Sequence, residues 1–179
     1  SGKTITALTA ISRHSLNGNP TVLVVPGNVL ISQWEKEIGE KLPDHNILIV
    51  DGKPENKHWP RYLGDSLKVS NPPNIVLASL KTVGGNLGGP SKFTRFIQNN
   101  DNPEKMDNVL FIVDECHALG QQSLEEFCTI THGSRLGLSA TWERWRDPNG
   151  TQRLLNFFNG VLEPEYGIAQ ALADENLTP

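Results

Sequence analysis

Two clusters of residues far apart in the chain have types and spacing that could do chemistry. The first is Ser1-Gly2-Lys3-Thr4, followed by the apolar, helix-like run Ile5, Leu8, Ala10 and Ile11. These are the last letters of the phosphate-cradling pattern G-x-x-x-x-G-K-[ST], in which the glycine lets backbone N–H groups approach phosphate. Lys3 would reach the terminal phosphates and Thr4 would hold Mg²⁺; the plain alternative is a helix start with Ser1 near its N-cap. The pattern's first glycine and the strand before it are absent from the sequence. The expectation is therefore a chain cut inside its own nucleotide site.

The second cluster is Asp114-Glu115-Cys116-His117, directly after the apolar run Val109-Leu110-Phe111-Ile112-Val113. Such a run, bounded by polar residues, reads as a strand buried on both faces of a parallel sheet. Two acids at its end pack poorly, because a buried carboxylate needs a partner. Mg²⁺ would be that partner for Asp114, and Glu115 could act as base towards an attacking water. The alternative is that both acids cap a following helix.

The motifs together resemble the superfamily-two helicases and translocases, and within them the DExH-box, ResIII-like group (type III restriction subunit). Asp114 to His117 is similar to their DExH box, and Arg135-Leu136-Gly137-Leu138-Ser139-Ala140-Thr141 to their S-A-T motif. Thr21 to Pro26 with Leu30, Gln33 and Trp34 resembles motif Ia, and Ala78-Ser79-Leu80-Lys81-Thr82 the next motif on the nucleic-acid side. The segments Glu143-Arg144, Asp147 to Thr151, Ala171 to Asp174, and Leu177 to Pro179 resemble the tail of the ResIII-like group.

The resemblance implies a first RecA-like motor domain with ATP and Mg²⁺ as cofactors. Lys3, Asp114 and Glu115 would be catalytic; Ser1, Gly2, Lys3, Thr4 and His117 would bind nucleotide; Thr4 and Asp114 would hold the metal. Ser139, Ala140 and Thr141 would couple hydrolysis to domain motion, and His117 would link them to the ATP site. Pro26, Gly27 and Thr82 would face nucleic acid, with Thr82 either donating to a backbone phosphate or capping a helix. Implied partners are nucleic acid, duplex DNA first, a second RecA-like domain of the same chain carrying arginine fingers, and restriction or repair proteins. The rival readings are a non-catalytic binding module and a translocase that moves on duplex without separating strands.

The chain departs from the family pattern at three places. Gly27-Asn28 stands where relatives carry Thr-Arg, which removes a cation from the nucleic-acid face. Trp142 stands where proline is usual, and Cys116 where alanine is. Trp34, Trp142 and Trp145 could stack on bases or serve as core and interface residues.

Composition bounds the rest. The 179 residues suffice for one domain with a core, and 37% hydrophobic with 20% charged residues suits a globular chain. No apolar stretch approaches the roughly 18–20 residues of a membrane span. No basic segment precedes an apolar core as in a signal peptide. With only Cys116 and Cys128, a disulfide framework is excluded and a reducing, cytoplasmic setting is expected. A lone Cys116 and His117 lack the four-ligand pattern of zinc. The net charge of −4 is not that of a basic nucleic-acid binder, so the nucleic-acid expectation rests on the resemblance.

The elements that must position these residues alternate strand and helix. Helices are expected over 3–16, 29–40 and 123–129, after Gly84 to Pro90, and once within 51–73; strands over 21–25, 46–50, 75–79, 109–114 and 135–139. Gly84 to Pro90 reads as a surface loop or as a loop near the nucleic-acid track. The expected fold is α/β: a three-layer RecA-like P-loop NTPase domain with a mostly parallel sheet, lacking its P-loop strand. Its domain spans 1–160, with 161–179 leading towards the second domain. In such a fold ligands bind at the carboxyl ends of the strands. The absent strand should be central, so a slot is expected in the sheet, exposing apolar faces of its neighbours, 109–113 among them.

Overall fold

The computed structural model describes residues 2–84, 90–99, 106–120 and 125–162. Ser1, most of the Gly84 to Pro90 loop, Ser123 and the tail segment 163–179 lie outside the described residues, and with them most of the expected lead-in to a second domain.

Helix α1 covers Gly2–His14 and runs into a 3-10 turn over Ser15–Asn17. Strand β1 (Thr21–Val25), helix α2 (Asn28–Lys41) and strand β2 (Asn46–Val50) follow. Next come α3 (Trp59–Ser66), β3 (Asn74–Ser79), the short α4 (Leu80–Val83) and α5 (Lys92–Gln98). Strand β4 (Leu110–Asp114), strand β5 (Ser134–Leu138) and helix α6 (Pro148–Phe158) complete the described chain. The expected 123–129 helix is, in its described part, a 3-10 turn over Phe127–Thr129.

The five strands form one sheet in the order β2-β3-β1-β4-β5, and every pairing is parallel. Side chains alternate between its faces, as the two-residue strand period requires. Val22, Val24, Phe111 and Val113 pack with Trp59 and Leu63 of α3, Phe93 of α5 and Leu154 and Phe157 of α6. Leu23, Val25, Leu110 and Ile112 pack with Ala7, Leu8 and Ile11 of α1 and Ile31, Trp34 and Ile38 of α2. The helix–sheet–helix layers are those of a RecA-like α/β domain, and each fully buried large aliphatic side chain contributes roughly 1.5–3 kcal/mol.

Among the described residues the sheet has no slot, contrary to the expectation. Thr21 to Val24 pair residue by residue with Leu110 to Val113, and β4 pairs along its length with β5. Val109 and Phe111 to Val113 are fully buried. These ladders close directly, and the edge strands among the described residues are β2 and β5, the latter with Arg135, Leu136 and Gly137 half-buried. Gly137 is needed there for space: a Cβ would meet Cys116 Sγ at 2.9 Å and the Phe158 ring at 3.0 Å. The cysteine in place of the family's usual alanine thus packs directly against the strand that leads to the S-A-T segment.

Candidate active site

All five strands point their carboxyl ends to one rim, and the chemistry-bearing residues gather there. Asp114 is the last residue of β4. Glu115 follows with φ of 50°, a left-handed conformation uncommon for a residue with a side chain. Glu115 Oε1 forms an ion pair with Lys3 Nζ of α1, the two side chains being 33% and 32% exposed. Asp114 is held from two sides. Trp34 Nε1 donates to its Oδ2 at 3.2 Å, and the backbone N–H of Glu115 donates to its Oδ1 at 3.1 Å.

Lys3, Thr4, Leu30, Gln33, Trp34, Glu37, Asp114 and Glu115 line one cleft of about 320 Å³. The amino end of the 13-residue α1 opens beside it, with no acid in its first turn. Helix amino ends carry unpaired N–H groups and partial positive charge, which favours an anion. A Cβ built on Gly2 would meet nothing within 4 Å. This donor set fits a phosphate chain: a lysine and helix N–H groups for the oxygens, with Thr4 and Asp114 as oxygen ligands for Mg²⁺. Among the described residues no group of three or more His, Cys, Asp or Glu could hold a metal by itself. A magnesium ion that takes one or two protein ligands and leaves the rest to phosphate and water needs no such group.

A second set of bonds joins this cleft to the S-A-T segment. His117 lies in the 3-10 turn Cys116–Gly120, and its Nδ1 is 3.4 Å from Glu115 Oε2 and 3.1 Å from Ser139 Oγ. Ser139 Oγ donates to the Thr141 carbonyl at 3.0 Å and accepts from the Thr141 N–H at 3.2 Å. With the serine proton so placed, the network assigns the His117 proton to Nδ1, donating to Ser139. Ala140 between them is exposed.

Sequence reasoning missed three participants. Trp34 belongs to the same apolar stripe as Ile31 and Ile38, but its indole N–H reaches Asp114; at 4% exposure it cannot stack on a base. Arg144 and Asp147 form an ion pair at 2.7 Å and tie the start of α6 to this region. The Arg144 hydrogen bond, then the N–H of Gly150, holds the Asp147 carboxyl below the usual carboxylate range. The signal for α6 was present in the sequence: Asp147 as cap, Pro148 at the first helical turn, and apolar Leu154 and Phe157 at helical spacing.

Pro26, Gly27 and Thr82 are on the same rim, beyond β1 and β3, but none lines the cleft. Gly27 is the extended residue before α2. Ser79 is the cap of α4, accepting from the Thr82 N–H, and its hydroxyl is 2.8 Å from Thr82 Oγ1. Thr82 is therefore the partner of a cap and not the cap itself. Trp142 is half-buried and lines a cavity of about 250 Å³ between β5 and α6, whereas Trp145 is 84% exposed with the Arg146 guanidinium over its ring. Burial, and next the charge of Glu115, push the Cys116 thiol up to about 11, so it stays protonated.

A RecA-like α/β domain with these groups at its rim belongs to a defined class. The family described as "Type III restriction enzyme, res subunit" matches residues 1–144, and the chain belongs to that family. A relative in Invertebrate iridescent virus 3, whose name reads "Putative helicase 109L", is 40% identical over 50 residues. That match covers 28% of this chain and 14% of the viral protein's length. No helix among the described residues is long and apolar enough to cross a membrane.

Proposed function

We propose that the chain is the ATP-hydrolysing motor domain of a helicase or translocase that moves on nucleic acid, with duplex DNA as its track. One observation carries this reading: Glu115 is held between Lys3 and His117, and His117 in turn meets Ser139. A candidate base is thereby tied on one side to a candidate phosphate-binding lysine, and on the other to the segment that would sense a second domain.

In this reading phosphate oxygens compete with Glu115 for Lys3, so nucleotide binding frees the Glu115 carboxylate. Glu115 then orients a water and takes its proton. The water oxygen bonds to the γ-phosphorus as the bond to the β–γ bridging oxygen breaks, and ADP leaves with that electron pair. Mg²⁺ at Thr4 and Asp114 would neutralise phosphate charge, while Trp34 keeps the Asp114 carboxylate oriented. Ser139 and Thr141 would report the state of Glu115, through His117, to a second RecA-like domain supplying an arginine finger. Gly27 through its N–H and Thr82 through its hydroxyl would donate to the nucleic-acid backbone, with Pro26 beside them, which suits a domain without net positive charge.

The test is Glu115→Gln beside Lys3→Ala in the full-length protein. Glu115→Gln should keep Mg·ATP binding and lose about 10²-fold or more in turnover, whereas Lys3→Ala should weaken both. Hydrolysis by Glu115→Gln at the unsubstituted rate would remove Glu115 as the base.

A further inference from the structure

The loop from Ser139 to α6 holds His117 at two points. Ser139 meets its ring, and Arg144 Nη1 donates to its backbone carbonyl at 2.6 Å. The same guanidinium donates from Nε to Asp147 Oδ2 at 2.7 Å, while Asp147 Oδ1 accepts from the Gly150 N–H at 2.8 Å as the cap of α6. The Arg144 backbone N–H donates to Thr151 Oγ1 at 2.9 Å, so the first turn of α6 grips the arginine from both ends. The Arg144 side chain is only 20% exposed. Gly150 leaves no room for anything else: a Cβ would stand 2.3 Å from Asp147 Oδ2 and 2.6 Å from Arg144 Nε.

We propose that Arg144 and Asp147 are positioning residues, a strut between the first turn of α6 and the His117 carbonyl that fixes the Glu115–His117 turn against the Ser139 segment. A planar guanidinium with donors on two edges can bridge a carboxylate and a carbonyl at once, which an ammonium does less well. Displacing the first turn of α6 would pull on His117 from the backbone side, independently of its ring contact with Ser139. The strut rests on the proposed role of Glu115 for its effect on turnover, but not for its effect on the turn itself.

The experiment compares Arg144→Ala, Arg144→Lys and Asp147→Ser with the unsubstituted full-length protein, in two readouts. Asp147→Ser keeps a side chain that can cap α6 and removes the ion pair. The first readout is amide hydrogen exchange over 115–118 without nucleotide. Arg144→Ala and Asp147→Ser should both speed it about tenfold or more, through loss of charge-assisted hydrogen bonds, with β4 amides unchanged. The second is steady-state ATP hydrolysis, where kcat should fall about tenfold with KM within about twofold, and Arg144→Lys should restore it only in part. Unchanged exchange at 115–118 in Arg144→Ala overturns the strut whatever Glu115 does. Behaviour of Asp147→Ser like the unsubstituted protein reduces Asp147 to a helix cap and also overturns it. Faster exchange with unaltered kcat, in a protein that Glu115→Gln inactivates, removes the catalytic consequence. If Glu115→Gln stays active while exchange responds as expected, the strut stands and the proposed hydrolysis mechanism fails.

Discussion

One face of the sheet is packed from aliphatic side chains of α1 and α2 with Trp34; the other holds a chain of aromatic rings. Phe127 sits in that chain 6.5 Å from Phe93, 6.3 Å from Phe111 and 5.8 Å from Phe157, and Phe93 lies 6.2 Å from Trp59. Every residue lining the candidate nucleotide cleft comes from α1, α2 or the end of β4, and none from the aromatic face. Aromatic pairs add geometric preference to area burial. The aromatic face therefore fixes how α3, α5 and α6 sit on the sheet, while the aliphatic face aims two helices at the rim. Stability and chemistry are unequally divided between the two sides.

The largest test of that division is Phe127→Ala. With the ring 1% exposed and touching three others, its loss should cost about 3–5 kcal/mol of unfolding free energy, read by chemical denaturation. Nucleotide affinity, measured well below the denaturation midpoint, should stay near that of the unsubstituted protein. A large loss of affinity would show that the faces are not separable.

The converse test is Trp34→Phe on the aliphatic face. It keeps an aromatic ring in the stripe and removes the donor to Asp114 Oδ2. One hydrogen bond to a charged group is worth about 1.5–3 kcal/mol, so the Mg²⁺ concentration for half-maximal ATP hydrolysis should rise about tenfold or more. Denaturation should shift less than for Phe127→Ala. Unchanged Mg²⁺ dependence would mean that the indole is packing alone.

The smallest effect belongs to neither face. His45 lies near the opposite ends of the strands, with Nε2 2.9 Å from Ser15 Oγ and Nδ1 buried. Burial, foremost, lowers its pKa from the ordinary 6.5. The folded state thus favours the neutral ring, and the unfolded chain takes up the proton first. Stability from this site is full above about pH 6.5, declines as the pH falls from there to the folded pKa, and levels off below it. His45→Gln should flatten that segment of the stability profile, measured by denaturation from pH 5 to pH 8.

Much of this division was legible in the sequence. Apolar runs such as Thr21 to Val25 and Val109 to Val113 mark strands buried on both sides, and the Lys3, Asp114 and Ser139 positions follow once strands alternate with helices. The strand order was not legible, because ladder partners leave no mark in a single chain; hence the expected slot, where the structure has continuous pairing. Nor could spacing show that Lys3 meets Glu115, since the two residues lie 112 positions apart and only the sheet brings α1 to the end of β4. The Trp34 stripe predicts burial whichever way the indole N–H points, so its bond to Asp114 is information that only tertiary structure holds. Helix α6 is the opposite case: its cap, proline and spacing were all readable, yet no helix was expected there.

Asp114 and Ser139 stand at the ends of neighbouring strands with different support. Strand β4 is laced on both sides, by β1 and β5, while β5 is laced, among the described residues, only by β4. Local opening follows such differences in support, and the free energy of opening rises towards the centre of a sheet. The Asp114 carboxylate thus stands at the end of a strand paired on both sides, and Ser139 just beyond one whose described pairing is on one side. In the proposed function, the group assigned to Mg²⁺ would therefore rest on firmer support than the group assigned to report to a second domain.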